Sequence, residues 1–130
     1  MNHLLFDTCF LIDIERELRR GGGKAHDFLV RHPNARPWIS WTVAGEFAEG
    51  FGSIQDPVCA AMLGKFDILE MNEATAGCYA RITADLRRKS LLIGANDLWI
   101  AAASLAAGYP LVTNNSAHFR RVPGLKWVDY

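Results

Sequence analysis

Short apolar runs alternate with amphipathic stretches along the whole chain. The short runs are rich in branched and aromatic side chains, which favours buried strands, whereas the longer stretches repeat apolar residues every three or four positions, as one face of a helix does. This pattern predicts strands at residues 4–6, 37–40, 66–69, 111–113 and 125–128. It predicts helices at residues 9–20, 24–31, 42–51, 57–64, 72–89 and 116–121, and an alanine-rich helix that begins at Gly94 or Asn96 and ends at Gly108.

Glycine, proline and asparagine mark several of the predicted helix ends. Three consecutive glycines at 21–23 stop the first helix, Pro57 occupies the first position of the fourth, and Asn72 caps the fifth. Strands that alternate with helices are typical of a mostly parallel sheet covered by helices on both faces. We therefore expect a three-layer α/β/α fold with four to five strands in its central sheet, and one domain over residues 1–130.

The charged residues balance overall but are distributed unevenly. Basic and acidic residues number 14 each, so the net charge indicates no general attraction to nucleic acid. The basic residues nevertheless group in three stretches, at 16–24, 81–89 and 120–121. Such groups are either solvated helix ends, which the helix dipole favours, or contacts to phosphate groups.

The cysteines and the apolar runs bear on the cellular compartment. Cys9, Cys59 and Cys78 are too widely spaced for a zinc motif or a disulfide framework, and we interpret them as small buried apolar residues. The start of the sequence lacks the basic segment of a secretory signal, and the longest apolar run, 98–107, is too short to span a bilayer. We expect a soluble cytoplasmic protein that does not engage a membrane.

Three acidic residues stand where a metal site can be built. Asp7 follows the first strand, Glu46 lies one turn inside a helix, and Asp97 lies in the first turn of an alanine-rich helix. In open α/β sheets, ligands bind outside the carboxyl ends of the strands, so acids far apart in sequence can converge there. Converging carboxylates repel one another and are stable only with a cation. Oxygen ligands suit Mg²⁺ or Mn²⁺.

Each candidate residue also has a simpler interpretation. Asp7 and Asp97 are in positions where an aspartate commonly caps a helix. Glu46 is harder to explain in that way, because a glutamate among apolar neighbours needs a partner. Asn115 either completes a turn or brings an amide oxygen to a metal or its water. We interpret His118 as a surface residue or a neighbour of a ligand rather than as a ligand.

Two other aspartate-based chemistries are excluded by position. Phosphatases of the haloacid dehalogenase type need a second aspartate two residues after the first, where this chain has Cys9. Receiver domains need an acidic residue beside the first aspartate and another aspartate after the third strand, and the sequence has neither. It also contains no phosphate-binding loop, serine-hydrolase or Rossmann signature.

The order of these segments resembles that of PIN domains and, among them, of the VapC-type toxins of bacterial toxin–antitoxin systems. The resemblance covers nearly the whole chain and rests on residues 5–8, 46–50, 93–102 and 111–125. Asp7 alone would be weak evidence, but four motifs in order and at compatible spacing are specific.

The resemblance implies a Mg²⁺- or Mn²⁺-dependent endoribonuclease that hydrolyses RNA phosphodiester bonds and leaves 5′-phosphate and 3′-hydroxyl ends. It also implies a homodimer that a VapB-like antitoxin holds inactive. In this family pattern Asp7 and Asp97 hold the metal, Glu46 binds a second ion or orients the attacking water, and Asn115 completes the shell.

The chain departs from the family pattern at two places. The residue two after Asp7 is commonly asparagine and here is Cys9, which removes a possible polar contact. A fourth acidic position falls near Asn115, and a nearby position that is often acidic is His118, so the site carries three carboxylates rather than four. A non-catalytic PIN scaffold that binds RNA or a partner protein is the alternative, and a DNA-directed nuclease would share the same chemistry.

Overall fold

The computed structural model describes residues 2–130, so the first residue of the predicted domain lies outside the description. The strands are β1 (His3–Phe6), β2 (Arg36–Ser40), β3 (Asp67–Leu69), β4 (Leu111–Val112) and β5 (Trp127–Val128). The helices are α1 (Thr8–Arg20), α2 (Lys24–Arg31), α3 (Trp41–Glu49), α4 (Pro57–Leu63), α5 (Glu73–Arg88), α6 (Ala95–Ala107) and α7 (Ser116–Phe119). Each predicted strand and helix is present, with its ends within two residues of the prediction.

The strands form one sheet in the order β3-β2-β1-β4-β5, and every neighbouring pair is parallel. β1 is central, with Leu5 opposite Trp38 of β2 on one side and Leu111 of β4 on the other. Because the strand order reverses at β1, the carboxyl ends of β1 and β4 border the crevice where open α/β sheets bind ligands. The predicted mostly parallel sheet is confirmed.

Both faces of the sheet are covered. Leu4, Leu5 and Phe6 of β1 are all buried, although successive side chains of a strand point to opposite faces. Phe6 packs on Phe10 of α1 with ring centroids 4.4 Å apart. This burial on both faces confirms the three-layer α/β/α arrangement.

Local capping fixes the helices that carry the site. Asp7 caps α1, Ser40 caps α3 through a 3.3 Å bond from the Val43 N–H, and α6 ends at Gly108 with φ 73°. The buried alanines of α6 allow this helix to lie close to the sheet. None of the helices within residues 2–130 has the length and apolar character needed to cross a membrane.

Candidate active site

Asp7 lies at the carboxyl end of β1, where its backbone N–H continues the ladder to the Val112 carbonyl at 3.0 Å. Its side chain is 5% exposed. Oδ1 accepts a 2.7 Å hydrogen bond from the Thr8 N–H, and Oδ2 accepts one of 2.7 Å from the Thr113 hydroxyl. Asp7 is therefore both the cap of α1 and a buried carboxylate at the crevice, so the two interpretations of this residue are compatible.

The environment of Asp7 disfavours its charged form. Burial raises the pKa of the Asp7 carboxyl above its ordinary value of 3.8, and the Asp97 carboxylate raises it further. The hydrogen bonds from Thr113 and Thr8 act in the opposite direction and lower this pKa. The balance is an increase, so ionised Asp7 is destabilised in the metal-free protein.

Glu46 links the start of α1, which follows Asp7, to the start of α6, which contains Asp97. The Thr8 hydroxyl donates to Glu46 Oε1 at 2.6 Å, and the Asn96 side-chain amide donates to Glu46 Oε2 at 3.1 Å. Thr8 adjoins Asp7 and Asn96 adjoins Asp97 in sequence. Glu46 is therefore the polar link between the start of α1 and the start of α6.

Asp97 lies in the first turn of α6, with 21% of its side chain exposed. His118 Nδ1 lies 2.8 Å from Asp97 Oδ2. Because an ionised carboxylate can only accept, Nδ1 of His118 carries the hydrogen and donates it. The Asn115 amide contacts the same imidazole nitrogen at 3.1 Å, and the Asn115 backbone N–H donates to the Thr113 hydroxyl at 2.9 Å.

All four predicted site residues thus lie together at the carboxyl edge of the sheet. Asp7, Glu46 and Asn115 share one hydrogen-bonded network through Thr8 and Thr113, and Asp97 is held by His118 beside the Asn115 amide. His118 is the neighbour of a carboxylate, as expected. Three further members of the network were not predicted: Thr8, Asn96 and Thr113. Thr8 and Asn96 adjoin acidic residues and Thr113 directly follows β4, and this adjacency is the only signal that the sequence offers for them.

Cys9 corrects one expectation. Replacement of the usual asparagine was expected to remove a polar contact, but Cys9 Sγ lies 3.5 Å from Asp7 Oδ2 and 3.7 Å from Thr113 Oγ1. Burial raises the pKa of the Cys9 thiol, and the charge of Asp7 raises it further. The thiol therefore stays protonated and acts as a weak donor to the carboxylate, so the contact is retained in weaker form. Of the three cysteines, Cys59 is buried as predicted, whereas Cys9 and Cys78 are only partly so.

Asp13 and Tyr130 form a separate hydrogen-bonded pair near β5. The Tyr130 hydroxyl donates to Asp13 Oδ2 at 2.7 Å, and the Asn114 amide contacts the same oxygen at 3.4 Å. The Tyr130 ring packs edge-on against Phe10. Burial raises the pKa of the Tyr130 hydroxyl, and Cys9 and Asp13 raise it further, so it remains a hydrogen-bond donor.

The carboxylate and amide oxygens at this site are suitable ligands for a hard divalent cation. Within residues 2–130, no lysine or arginine forms an ion pair with Asp7, Glu46 or Asp97, and only Asp97 has an imidazole partner, His118. As placed, no three His, Cys, Asp or Glu side chains of the described chain are close enough together to surround one ion. Because His118 holds Asp97, joint coordination by all three acids requires side chains to turn.

The fold and site define an α/β chain with an acidic, oxygen-rich centre at the point where the strand order reverses. The chain belongs to the PIN domain family, whose family model matches residues 4–125. It is 32% identical to Ribonuclease VapC1 of Methanocaldococcus jannaschii, over 97% of this chain and 87% of that protein. It is 30% identical to Ribonuclease VapC1 of Rickettsia felis, over 95% of this chain and 92% of that protein.

Solved structures share the fold. VapBC2 from Rickettsia felis, bound to a DNA fragment from its promoter, superposes with a TM-score of 0.82 at 24% identity, over 98% of each chain. VapBC-1 from nontypeable Haemophilus influenzae gives a TM-score of 0.72 at 26% identity, over 98% of this chain and 97% of that one. The predicted PIN fold is confirmed.

Proposed function

We propose that this chain is a metal-dependent endoribonuclease that acts as the toxin of a type II toxin–antitoxin system. The relatives named as ribonucleases match nearly its whole length. The observation that carries the proposal is the Asp7 carboxylate, which is buried and has no cationic side-chain partner among residues 2–130; burial raises its pKa, and the Asp97 carboxylate adds to that increase. Such a pair of carboxylates is stabilised by a cation.

We assign roles to the chain's own residues as follows. Asp7 and Asp97 hold Mg²⁺ or Mn²⁺, Glu46 binds a second ion or orients the attacking water, and Asn115 completes the shell beside His118. When bound, the cation lowers the pKa of a water and stabilises charge on the phosphate.

The surrounding hydrogen bonds supply preorganisation. The Thr113 hydroxyl and the Thr8 N–H fix both oxygens of Asp7, and the Thr8 hydroxyl fixes Glu46. Holding Asp7 and Glu46 in place before substrate arrives avoids the cost of arranging these two carboxylates during the reaction. Thr8 and Thr113 therefore serve the site by holding the acidic side chains in position.

A VapB-like antitoxin is the proposed regulatory partner, since VapBC-1 from Haemophilus influenzae shares the fold at 26% identity. An antitoxin arginine that reaches the carboxylates in place of the cation would form a charge-assisted, bidentate pair with them. Raising Mg²⁺ should then weaken inhibition. Inhibition indifferent both to Mg²⁺ and to substitution of Asp7 would exclude this mode. We also propose a homodimer, which analytical ultracentrifugation tests.

Cleavage by the purified chain in chelator, and after addition of Mg²⁺ or Mn²⁺, tests the proposed function. We expect no cleavage of RNA in chelator and recovery with either ion, with 5′-phosphate and 3′-hydroxyl ends. Cleavage that persists in chelator and leaves 2′,3′-cyclic phosphate would contradict metal-dependent hydrolysis. Metal binding without cleavage would favour the scaffold, and preferential cutting of DNA would favour a DNA-directed nuclease.

A further inference from the structure

A groove with a basic rim lies between the second half of α5 and the turn that follows α7. Its volume is about 420 Å³, and its lining is Arg81, Ile82, Ala84, Asp85, Arg88, Lys89 and Pro123. Three cations against Asp85 give this lining a net charge of +2, in a chain whose formal net charge is zero. The groove is therefore a local concentration of positive charge.

The groove lies on the side of the molecule that carries the acidic site. Tyr79 of α5 stacks on Trp99 of α6 with centroids 3.8 Å apart, and Thr75 shares a pocket with Ala106. Residues later in α5 thus lie beside residues earlier in α6, so the two helices are antiparallel. Residues 81–89 consequently lie beside and beyond the start of α6, where Asp97 is found.

The second wall of the groove is tied both to the first wall and to the acidic site. Arg121 donates to the Leu91 and Leu92 carbonyls at 3.5 and 3.3 Å, and these residues belong to the loop between α5 and α6. His118 of α7, five residues before Pro123, contacts Asp97. The two walls are thus held in place relative to each other and to the site.

The cations on the rim are available to a ligand. Asp85 accepts from Arg88 at 2.7 Å and from Lys89 at 2.9 Å, but both cations are mostly exposed, with 71% and 51% of their side chains accessible. Ion pairs with such solvent-exposed cations are weak, so Arg88 and Lys89 can exchange Asp85 for a more highly charged anion. Arg81 has no carboxylate partner among the described residues.

We infer that this groove binds the phosphodiester backbone of single-stranded RNA, with phosphates on the basic rim and sugars against the exposed Ala84 and Pro123. The inference rests on the proposed function. Three acidic side chains repel a polyanion, and the chain has no overall positive charge to offset this. Cations beside the acidic site supply that attraction locally, and each neutralised phosphate adds to the salt dependence of binding.

Fluorescence anisotropy with a short labelled single-stranded RNA, in chelator and over a series of salt concentrations, tests the inference. Arg81→Gln/Arg88→Gln should lower the slope of log affinity against log salt by about 1.4, since each phosphate contact on a single strand contributes about 0.7. Asp85→Asn removes the negative charge in the lining and should tighten binding. Because the arginine and aspartate variants should change RNA affinity in opposite directions, a charge effect can be told apart from unfolding. Circular dichroism shows whether each variant is folded.

Arg19→Gln/Arg20→Gln is the matched control. Arg19 pairs with Glu15 at 2.9 Å, as Arg88 pairs with Asp85, and both arginines are exposed. They lie in the last turn of α1, about 20 Å along the helix from the site edge where Asp7 caps it. This control should leave the parent slope unchanged.

The outcomes separate the groove from the proposed activity. If the parent cleaves RNA with Mg²⁺ but the groove variants give the same salt slope as the control, the RNA-binding role of the groove is wrong and the proposed activity stands. If the salt slopes change with the charge of the groove but the parent cleaves no RNA, the groove binds RNA and the proposed function is wrong. Groove variants that change only oligomeric state or antitoxin affinity would make this a protein interface and overturn the inference.

Discussion

At the scale of single residues, Asp7 shows how local and distant information combine. The sequence predicted both a helix cap and a ligand position, and the structure places the residue at the first turn of α1 and at the crevice. Its bond from Thr113 depends on β4 lying beside β1, with Phe6 opposite Val112. No local pattern specifies that register, so Thr113 was not predicted.

The unfavourable ionisation of Asp7 predicts a stability gain on substitution. Because the folded pKa is raised, Asp7 contributes its full stability below its unfolded pKa, and this is lost as the pH rises through the folded value. Asp7→Asn does not titrate, so in chelator at pH 7 it should raise the free energy of unfolding by on the order of 1 kcal/mol.

Denaturant unfolding at several pH values measures this effect. The gain should shrink as the pH falls and vanish below the ordinary pKa of 3.8. Asp129→Asn, at an exposed aspartate, is the control and should show no comparable gain. A destabilised Asp7→Asn protein at pH 7 would show that the carboxylate serves the fold.

Thr113 should matter through its hydroxyl rather than through its shape. Thr113→Val removes the donor to Asp7 and the acceptor of the Asn115 N–H, both within a buried environment. We expect a loss of about 1–3 kcal/mol in unfolding free energy, together with reduced RNA cleavage. Thr113→Ser keeps the hydroxyl and should restore most of both. Equal behaviour of the two variants would argue against the hydrogen bonds.

At the scale of elements, caps made most helix ends predictable, whereas strand lengths depended on neighbours. Asn72 accepts from a backbone N–H of α5, as predicted, and Pro57 occupies the first position of α4, where Asp56 accepts from two backbone N–H groups. α3 ends two residues before the prediction because the chain tightens into a turn, with the Phe51 N–H bonding the Ala48 carbonyl at 2.9 Å. β5 was predicted from residue 125 but pairs with β4 only at Trp127–Val128.

The cap of α5 gives a test that separates fold from chemistry. Asn72 and Thr75 form reciprocal hydrogen bonds of 3.1 and 3.2 Å at the start of this helix. Asn72→Ala should lower the free energy of unfolding by about 1 kcal/mol, as other caps do. Cleavage should be unaffected, since this end of α5 lies beside the end of α6 remote from Asp97. Asn72→Asp retains the acceptor and should stay near the parent, whereas reduced cleavage by folded Asn72→Ala would contradict this separation.

At the scale of the whole molecule, the sheet order brings the acidic residues together. The sequence predicts a metal site at Asp7, Glu46 and Asp97 because they lie just after a strand or near the start of a helix. A parallel sheet brings such positions to one edge. The links through Thr8 and Asn96 follow from side-chain directions that only the packed structure fixes. Sequence therefore predicted the acids and the fold, but not the polar residues that hold the acids.

Asp97 either serves the reaction or only stabilises the start of α6, and these two roles predict different properties for Asp97→Asn. Asp97→Asn keeps the size and position of the side chain but removes a proposed metal ligand and a charge that raises the Asp7 pKa. Mg²⁺-dependent RNA cleavage and a thermal melt in chelator, on the same preparation, test this directly, with Asp129→Asn as control. We predict that cleavage falls by a factor of about 100 or more while the melting temperature is unchanged or higher. An Asp97→Asn protein that binds Mg²⁺ and cuts RNA like the parent would contradict the account and leave Asp97 a residue of the helix start alone.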